Sequence, residues 1–193
     1  PYELVNTPRS IFQKGFHFIR NNFFIPDARI GFFILGRFKL DKILKRESIS
    51  YVFISSPPHS SQLFGLYLKR KKSNIKVISD FRDPWSNAFW EQSDLRLGII
   101  STIIKKIELK VLKEVDCLTT VSKGLSKDFL KITKNKSEIL YNGYDPDDFK
   151  IIKKPTNFFW IRFIGTLGDS QIPTNFLNCF LDNNLKNSLN LLK

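Results

Sequence analysis

Methionine is absent from all 193 residues, and cysteine and histidine occur only twice each. A reading frame starts with methionine, so a chain that opens Pro1-Tyr2-Glu3 is expected to be a piece of a larger protein. Cys117 and Cys179 lie far apart in apolar surroundings with no CxxC spacing. Buried thiols in a reducing compartment are therefore expected, rather than a disulfide. With only His17 and His59 as imidazoles, the ligand set of a zinc site is missing. No apolar stretch reaches the roughly 18 residues of a membrane span. The nearest runs, 31–35 and 97–104, pass directly into lysines or arginines. Signal-peptide features, the GxGxxG fingerprint and the P-loop are all lacking, which argues against secreted, dehydrogenase and NTPase classes.

Acidic residues are also scarce, 18 against 31 lysines and arginines, leaving a formal charge of +13. The cations gather at 39–46, 69–72 and 105–113. One reading is attraction to anionic lipid head groups or nucleic acid. The other is a solvated basic surface in a sequence rich in Lys, Ile, Asn and Phe. The clusters lack the interleaved aromatics of an RNA-binding sheet, so peripheral contact with an anionic membrane ranks above nucleic acid. Replacing Lys69, Arg70, Lys71 and Lys72 is then expected to weaken vesicle binding at low salt.

What is present is a folded chain, 42% hydrophobic and 25% charged. Short β-branched and aromatic runs at 51–55, 76–79, 117–121, 138–141 and 158–164 read as buried strands. Helical patterns lie between most of them. Ile99, Ile100, Ile103, Ile104, Ile107 and Val111 follow helical spacing, with Lys105, Lys106 and Lys110 on the wet side. Leu125, Phe129 and Ile132 do the same behind Ser122, a good N-cap. Further helices are expected over 30–46, 63–72 and from Pro173 onward. Alternating strands and helices predict an α/β fold with a parallel sheet and right-handed crossovers. Chemistry in such sheets gathers at the carboxyl ends of the strands, where every expected strand here meets a polar or glycine-containing loop. Asn142-Gly143 followed by Asp145-Pro146-Asp147-Asp148 is strong turn punctuation and predicts a domain boundary.

Several motifs stand in a telling order. Ile25-Pro26-Asp27 precedes a long helix, and Ser55-Ser56-Pro57-Pro58-His59 follows the first strand. Asp80-Phe81-Arg82-Asp83-Pro84-Trp85 is the most specific of them. Glu108 is followed by Val115-Asp116-Cys117-Leu118-Thr119-Thr120-Val121-Ser122, then by Asn142-Gly143-Tyr144-Asp145 with Phe149, and by Phe163-Ile164-Gly165-Thr166-Leu167. In order and spacing, residues 25–169 resemble the N-terminal domain and hinge of glycosyltransferase family 4, of the type that builds bacterial surface polysaccharides. That resemblance implies the GT-B architecture of two Rossmann-like domains. Residues 1–150 would be an acceptor-side domain lacking its first strands, and 151–193 the opening of the nucleotide-sugar donor domain. The family's paired-glutamate E-x7-E donor motif has no counterpart, since no glutamate follows Glu138. The chain by itself is therefore expected to be inactive.

The resemblance also implies transfer from a nucleotide-diphosphate sugar to a saccharide or lipid-linked acceptor, with retention and without an obligatory metal or other cofactor. A leaving diphosphate and an oxocarbenium-like sugar demand donors near phosphate oxygens and a group near the acceptor hydroxyl. Gly165 and Thr166 supply backbone amides for the phosphate. Arg82 brings positive charge to the cleft, and Asp83 or His59 orients the acceptor hydroxyl. Ser56, Asp80 and Trp85 are expected beside the acceptor. Each has a plainer reading. In it Asp80 and Asp83 pair with Arg82 to shape a loop, His59 starts a helix, and Trp85 and Trp90 are packing residues. Glu108 suits a solvated pair with lysines, Asp116 a helix-to-strand turn, and Asp145-Pro146-Asp147 a turn rather than a metal-binding DxD. Set against an enzyme stands a binding module for acceptor or anionic membrane. A nucleic-acid binder, an epimerase and a nucleotidyltransferase rank below it.

Overall fold

Strand-forming residues pair into one parallel sheet because each strand is followed by a helix that returns the chain to the starting edge. The computed structural model describes residues 11–71, 74–88, 96–149, 164, 165 and 178. Within them β1 (Tyr51–Ser56), β2 (Lys76–Phe81), β3 (Cys117–Thr120) and β4 (Glu138–Ile139) lie side by side in sequence order, all parallel. Helix α3 (Leu63–Arg70) joins β1 to β2, α4 (Gly98–Glu114) joins β2 to β3, and α5 (Lys123–Thr133) joins β3 to β4. Two helices precede the sheet, α1 (Ile11–Phe23) and α2 (Ile30–Arg46). The α/β expectation holds over these residues, and α2 has the span its periodicity predicts.

Some boundaries differ for physical reasons. β2 extends through Asp80 and Phe81, because Phe81 finds a register partner in Ser56. β4 stops at Ile139, and a last backbone bond from Leu140 to the Thr120 carbonyl (2.8 Å) ends the pairing. Helix α1 adds to the expected elements. Its Phe12, Phe16, Ile19 and Phe23 recur at helical spacing, the signal that reveals it. Ser122 caps α5 by accepting from the Leu125 amide at 3.2 Å, as its position predicts.

Sequential strand order with right-handed crossovers puts the connecting helices on one face. Leu66, Phe81, Ile104, Val111, Leu112, Leu118 and Phe129 meet there in one buried cluster. Ile54, Leu68 and Val77 make a second, against which Leu40 and Leu44 of α2 pack. Each buried side chain of this kind stabilises the fold by about 1.5–3 kcal/mol. On the opposite face of β1, Tyr51 and Phe53 are exposed. Ile99 and Ile103, counted in the expected apolar stripe of α4, also face water, while Ile104 and Val111 are buried.

The chain divides into two compact units, Pro8–Pro146 and a second comprising Asp147–Lys193 with Pro1–Thr7. The sheet belongs to the first. A short 3-10 turn, Pro146–Asp148, spans the boundary between the two units in the sequence, and in the second Ile164 and Gly165 are exposed. The expected strand at 158–164, apart from Ile164, and the expected helix from Pro173, apart from Asn178, lie outside the described residues, as do Trp90, Thr166 and Cys179.

Candidate active site

The carboxyl end of β1 and β2 is knitted by polar side chains rather than by packing alone. The Asp80 carboxylate, 0% exposed, accepts from Ser55 Oγ at 2.8 Å, Thr119 Oγ1 at 2.6 Å and Arg82 Nε at 2.7 Å. Those donors come from β1, β3 and the loop after β2, so one buried charge ties three chain segments together. Gln62, also fully buried, donates to the Ile54 carbonyl (3.1 Å), the Ser56 hydroxyl (3.0 Å) and the Asp80 carbonyl (3.3 Å). Ser56 in turn donates to the Asp80 carbonyl at 3.3 Å. A buried charge persists only when matched and hydrogen-bonded, and Asp80 meets both conditions.

After β1 the chain turns through a 3-10 helix, His59–Gln62. Asp27 reaches it from the loop before α2, accepting from the Ser60 amide at 2.6 Å and the Ser60 hydroxyl at 2.9 Å. His59 begins this turn and lies flat against Trp85, with centroids 4.9 Å apart and planes at 9°. Phe81 closes the stack from further away. His59 is 6% exposed, and its Nδ1 has no hydrogen-bond partner. Burial depresses the imidazole pKa to about 4, against opposing pulls from the Asp27 and Asp83 carboxylates and the Pro84 carbonyl. His59 is thus a neutral ring at pH 7, a hydrogen-bonding group rather than a cation.

Arg82 carries the edge across to β4. Its Nη1 donates to the Leu140 carbonyl at 3.1 Å and to Asn142 Oδ1 at 2.8 Å, while its Nε holds Asp80. The same loop is anchored from behind by Glu108 of α4, which accepts from the Ser86 hydroxyl and from its amide. Glu108 is 4% exposed, which replaces the solvated lysine pair expected from its flanks. Burial raises its pKa, and the two Ser86 hydrogen bonds only partly offset that.

The structure brings His59, Arg82, Asp83, Ser56, Asp80 and Trp85 into one neighbourhood. It separates them by depth. Ser56, Asp80 and Trp85, expected to touch an acceptor, are at most 1% exposed and support the surface from beneath. The pairing of Asp80 with Arg82 is the loop-shaping contact offered as its plainer reading. Arg82 and Asp83 are half-buried, and Ser55 and Asn142 are exposed at the rim. Gly165 sits in the second unit with φ 148°, a backbone region natural to glycine, and Thr166 is not described. Asp27, Gln62 and Glu108 complete the lattice. For Asp27 the signal was its place in the Ile25-Pro26-Asp27 motif; Gln62 and Glu108 carried no local mark of burial.

A rigid, largely dry lattice with a guanidinium and a carboxylate at its rim can fix charges before a reaction begins. The parallel sheet with its flanking helices defines the class: an α/β, Rossmann-like half of a larger architecture. The family described as Glycosyltransferase Family 4 matches over residues 5–148. The chain belongs to that glycosyltransferase family. No curated protein and no solved structure matches the chain.

Proposed function

We propose that this chain is the acceptor-side part of a retaining glycosyltransferase acting in cell-surface polysaccharide synthesis. Its donor is a nucleotide-diphosphate sugar, and its acceptor is a saccharide or a lipid-linked saccharide. The work takes place in the cytoplasm, at the inner face of the membrane. The observation that carries this reading is convergence. Separate motifs meet at one end of the sheet: Asp27 holds Ser60 beside His59, His59 stacks on Trp85, Arg82 bonds Asp80 and Asn142, and Glu108 holds Ser86 of the same loop. Side chains scattered over more than a hundred positions have little reason to meet at a strand edge unless that edge is used.

In this reading Arg82 turns positive charge toward the departing diphosphate, so that no metal is required for charge neutralisation. Asp83 and the neutral His59 hold the acceptor hydroxyl in line. Gly165 and Thr166 offer amides to the phosphate from the donor side. Asp80, Ser56 and Trp85 keep the rim in place.

The test is a transfer assay on the protein in its full natural reading frame, with labelled nucleotide-diphosphate sugars and lipid-linked saccharides. Asp83→Asn is expected to cut kcat/KM by about a hundredfold or more with an unchanged melting temperature, the loss typical of a misplaced acid–base group. The anomeric configuration of the product reads retention directly. A folded protein that binds acceptor but transfers from no donor would replace the enzyme with the binding module.

A further inference from the structure

Large apolar side chains are concentrated on the outer sides of α1 and α2. On α1, Phe12, Phe16, Ile19 and Phe23 form one stripe along the helix and all are exposed, Phe12 at 90%. On α2 the inward side packs Leu40 and Leu44 against the sheet, while Leu35 (74% exposed) and Phe38 point outward and Phe32, also exposed, makes an edge contact with the Phe64 ring. The exposed apolar half of α2 is followed on the same outer side by Lys39, Lys42 and Lys45, all exposed. Such helices are not built for water on that side.

The charge around them is of one sign. Residues 11–46 hold eight lysines and arginines against two carboxylates. Both carboxylates are engaged. Asp27 accepts from Ser60 and the Arg29 amide, and Asp41 accepts from Tyr67 and Lys71. That leaves an aromatic and cationic surface with its acids turned inward. By contrast, the 69–72 run, another of the three basic clusters in the sequence, is partly neutralised: Lys69 pairs with Asp116, and Lys71 with Asp41.

We infer that α1 and α2 form an in-plane anchor for a bilayer with anionic head groups. Phe32, Leu35, Phe38 and the α1 stripe sink into the head-group boundary, and Lys39, Lys42 and Lys45 meet the lipid phosphates. The charge argues against the other occupants. A second copy would set cationic face on cationic face, and a nucleic-acid duplex, bound through its phosphates, would leave the phenylalanines in water. This deepens the membrane-side reading above, and it is tested without donor or acceptor so that each can fail alone.

The experiment is co-sedimentation of the 193-residue chain with vesicles of phosphatidylcholine alone or with about 30% phosphatidylglycerol, at about 0.05 and 0.5 M salt. Binding is expected only to the anionic vesicles, and to weaken steeply at high salt. Lys39→Gln with Lys42→Gln and Lys45→Gln should lower partitioning roughly a hundredfold at low salt. Phe32→Ser with Leu35→Ser and Phe38→Ser should lower it at least about tenfold. Lys123→Gln with Lys127→Gln and Lys131→Gln on α5 serves as a charge-matched control and should change it by less than about threefold. As a direct probe of depth, Leu35→Trp should be quenched by brominated lipid beyond the wild-type signal. The inference is overturned by a wild type that ignores anionic vesicles, by α2 variants that bind as wild type, by an equal loss in the α5 control, or by an unquenched Leu35→Trp. A dimer dispersed by the Phe32→Ser set would overturn it in favour of a second copy.

Discussion

An aspartate pins each end of the sheet, under opposite conditions. At the carboxyl end Asp80 is sealed from solvent, and its partners Ser55, Thr119 and Arg82 come from three segments. At the amino end Asp116 sits in the turn from α4 to β3, its side chain 24% exposed. It accepts from the Val77 amide at 2.8 Å and pairs with Lys69 and with Lys76 at 3.3 Å. Burial pushes the Asp116 pKa up, but the Lys69 hydrogen bond, the Val77 amide and Lys76 outweigh it and hold the carboxyl at about 2. A groove of about 470 Å³ opens beside it, lined by Asp116, Cys117, Lys134, Asn135, Lys136 and Glu138 among others. The amino end therefore spends its charge where water competes, closing a turn. The carboxyl end spends its charge where water is excluded, holding loops in fixed positions. Preorganised charge in a dry setting suits a site for chemistry, and among the described residues the carboxyl end is where such charge lies.

Removing each carboxylate measures that contrast. Asp80→Ala leaves Arg82, Ser55 and Thr119 without their shared acceptor and is expected to cost about 3–5 kcal/mol in urea unfolding, the penalty of breaking a buried pair. A loss below about 1 kcal/mol would make the two ends equivalent. His59 gives the next largest effect, and its sign follows from the direction of its shift. Its pKa is about 4 when folded and near 6.5 when exposed, so the unfolded chain binds more protons between those values. Stability is fully present above pH about 6.5 and falls by up to about 3 kcal/mol as pH drops to about 4. His59→Phe keeps a ring against Trp85 but gains no proton, so the variant's stability should be flat across that window and the difference between wild type and variant should change with pH by up to about 3 kcal/mol. A difference unchanged by pH would remove His59 from the dry edge. Asp116→Ala is the smallest, about 1–2 kcal/mol, since a partly exposed pair contributes little and the Val77 amide bond most of it. Added salt should shrink the Lys69 and Lys76 share of that loss and leave the Asp80 loss nearly intact.

Much of the fold was legible because it rests on periodicity. The β-branched and aromatic content of 51–55 and 76–79 and the 3.6-residue spacing of Ile104, Ile107 and Val111 depend on neighbours in sequence, and Ser122 caps its own helix. The placement of the polar edge was legible too, since parallel strands put their loops together. What escaped was depth. Trp85 and Asp83 lie two positions apart, yet one is buried and the other half-exposed, and no local pattern distinguishes them. Glu108 among lysines reads as a surface residue until Ser86 of a distant loop covers it. The lysines at 69 and 71 read as a free patch until Asp116 and Asp41 arrive from elsewhere in the chain.

By itself, then, the sequence determined most of the elements, their parallel pairing, and the family, because backbone propensity, hydrophobic period and motif order are properties of neighbouring residues. Only the tertiary structure decided which charges are dry and which are wet. It stacked His59 on Trp85, strapped Arg82 to Asn142, and turned the carboxylates of α2 and its preceding loop inward while leaving Phe32, Leu35 and Phe38 outside. Burial and pairing depend on partners tens of residues away, and those partners meet only when the helices have closed over the sheet.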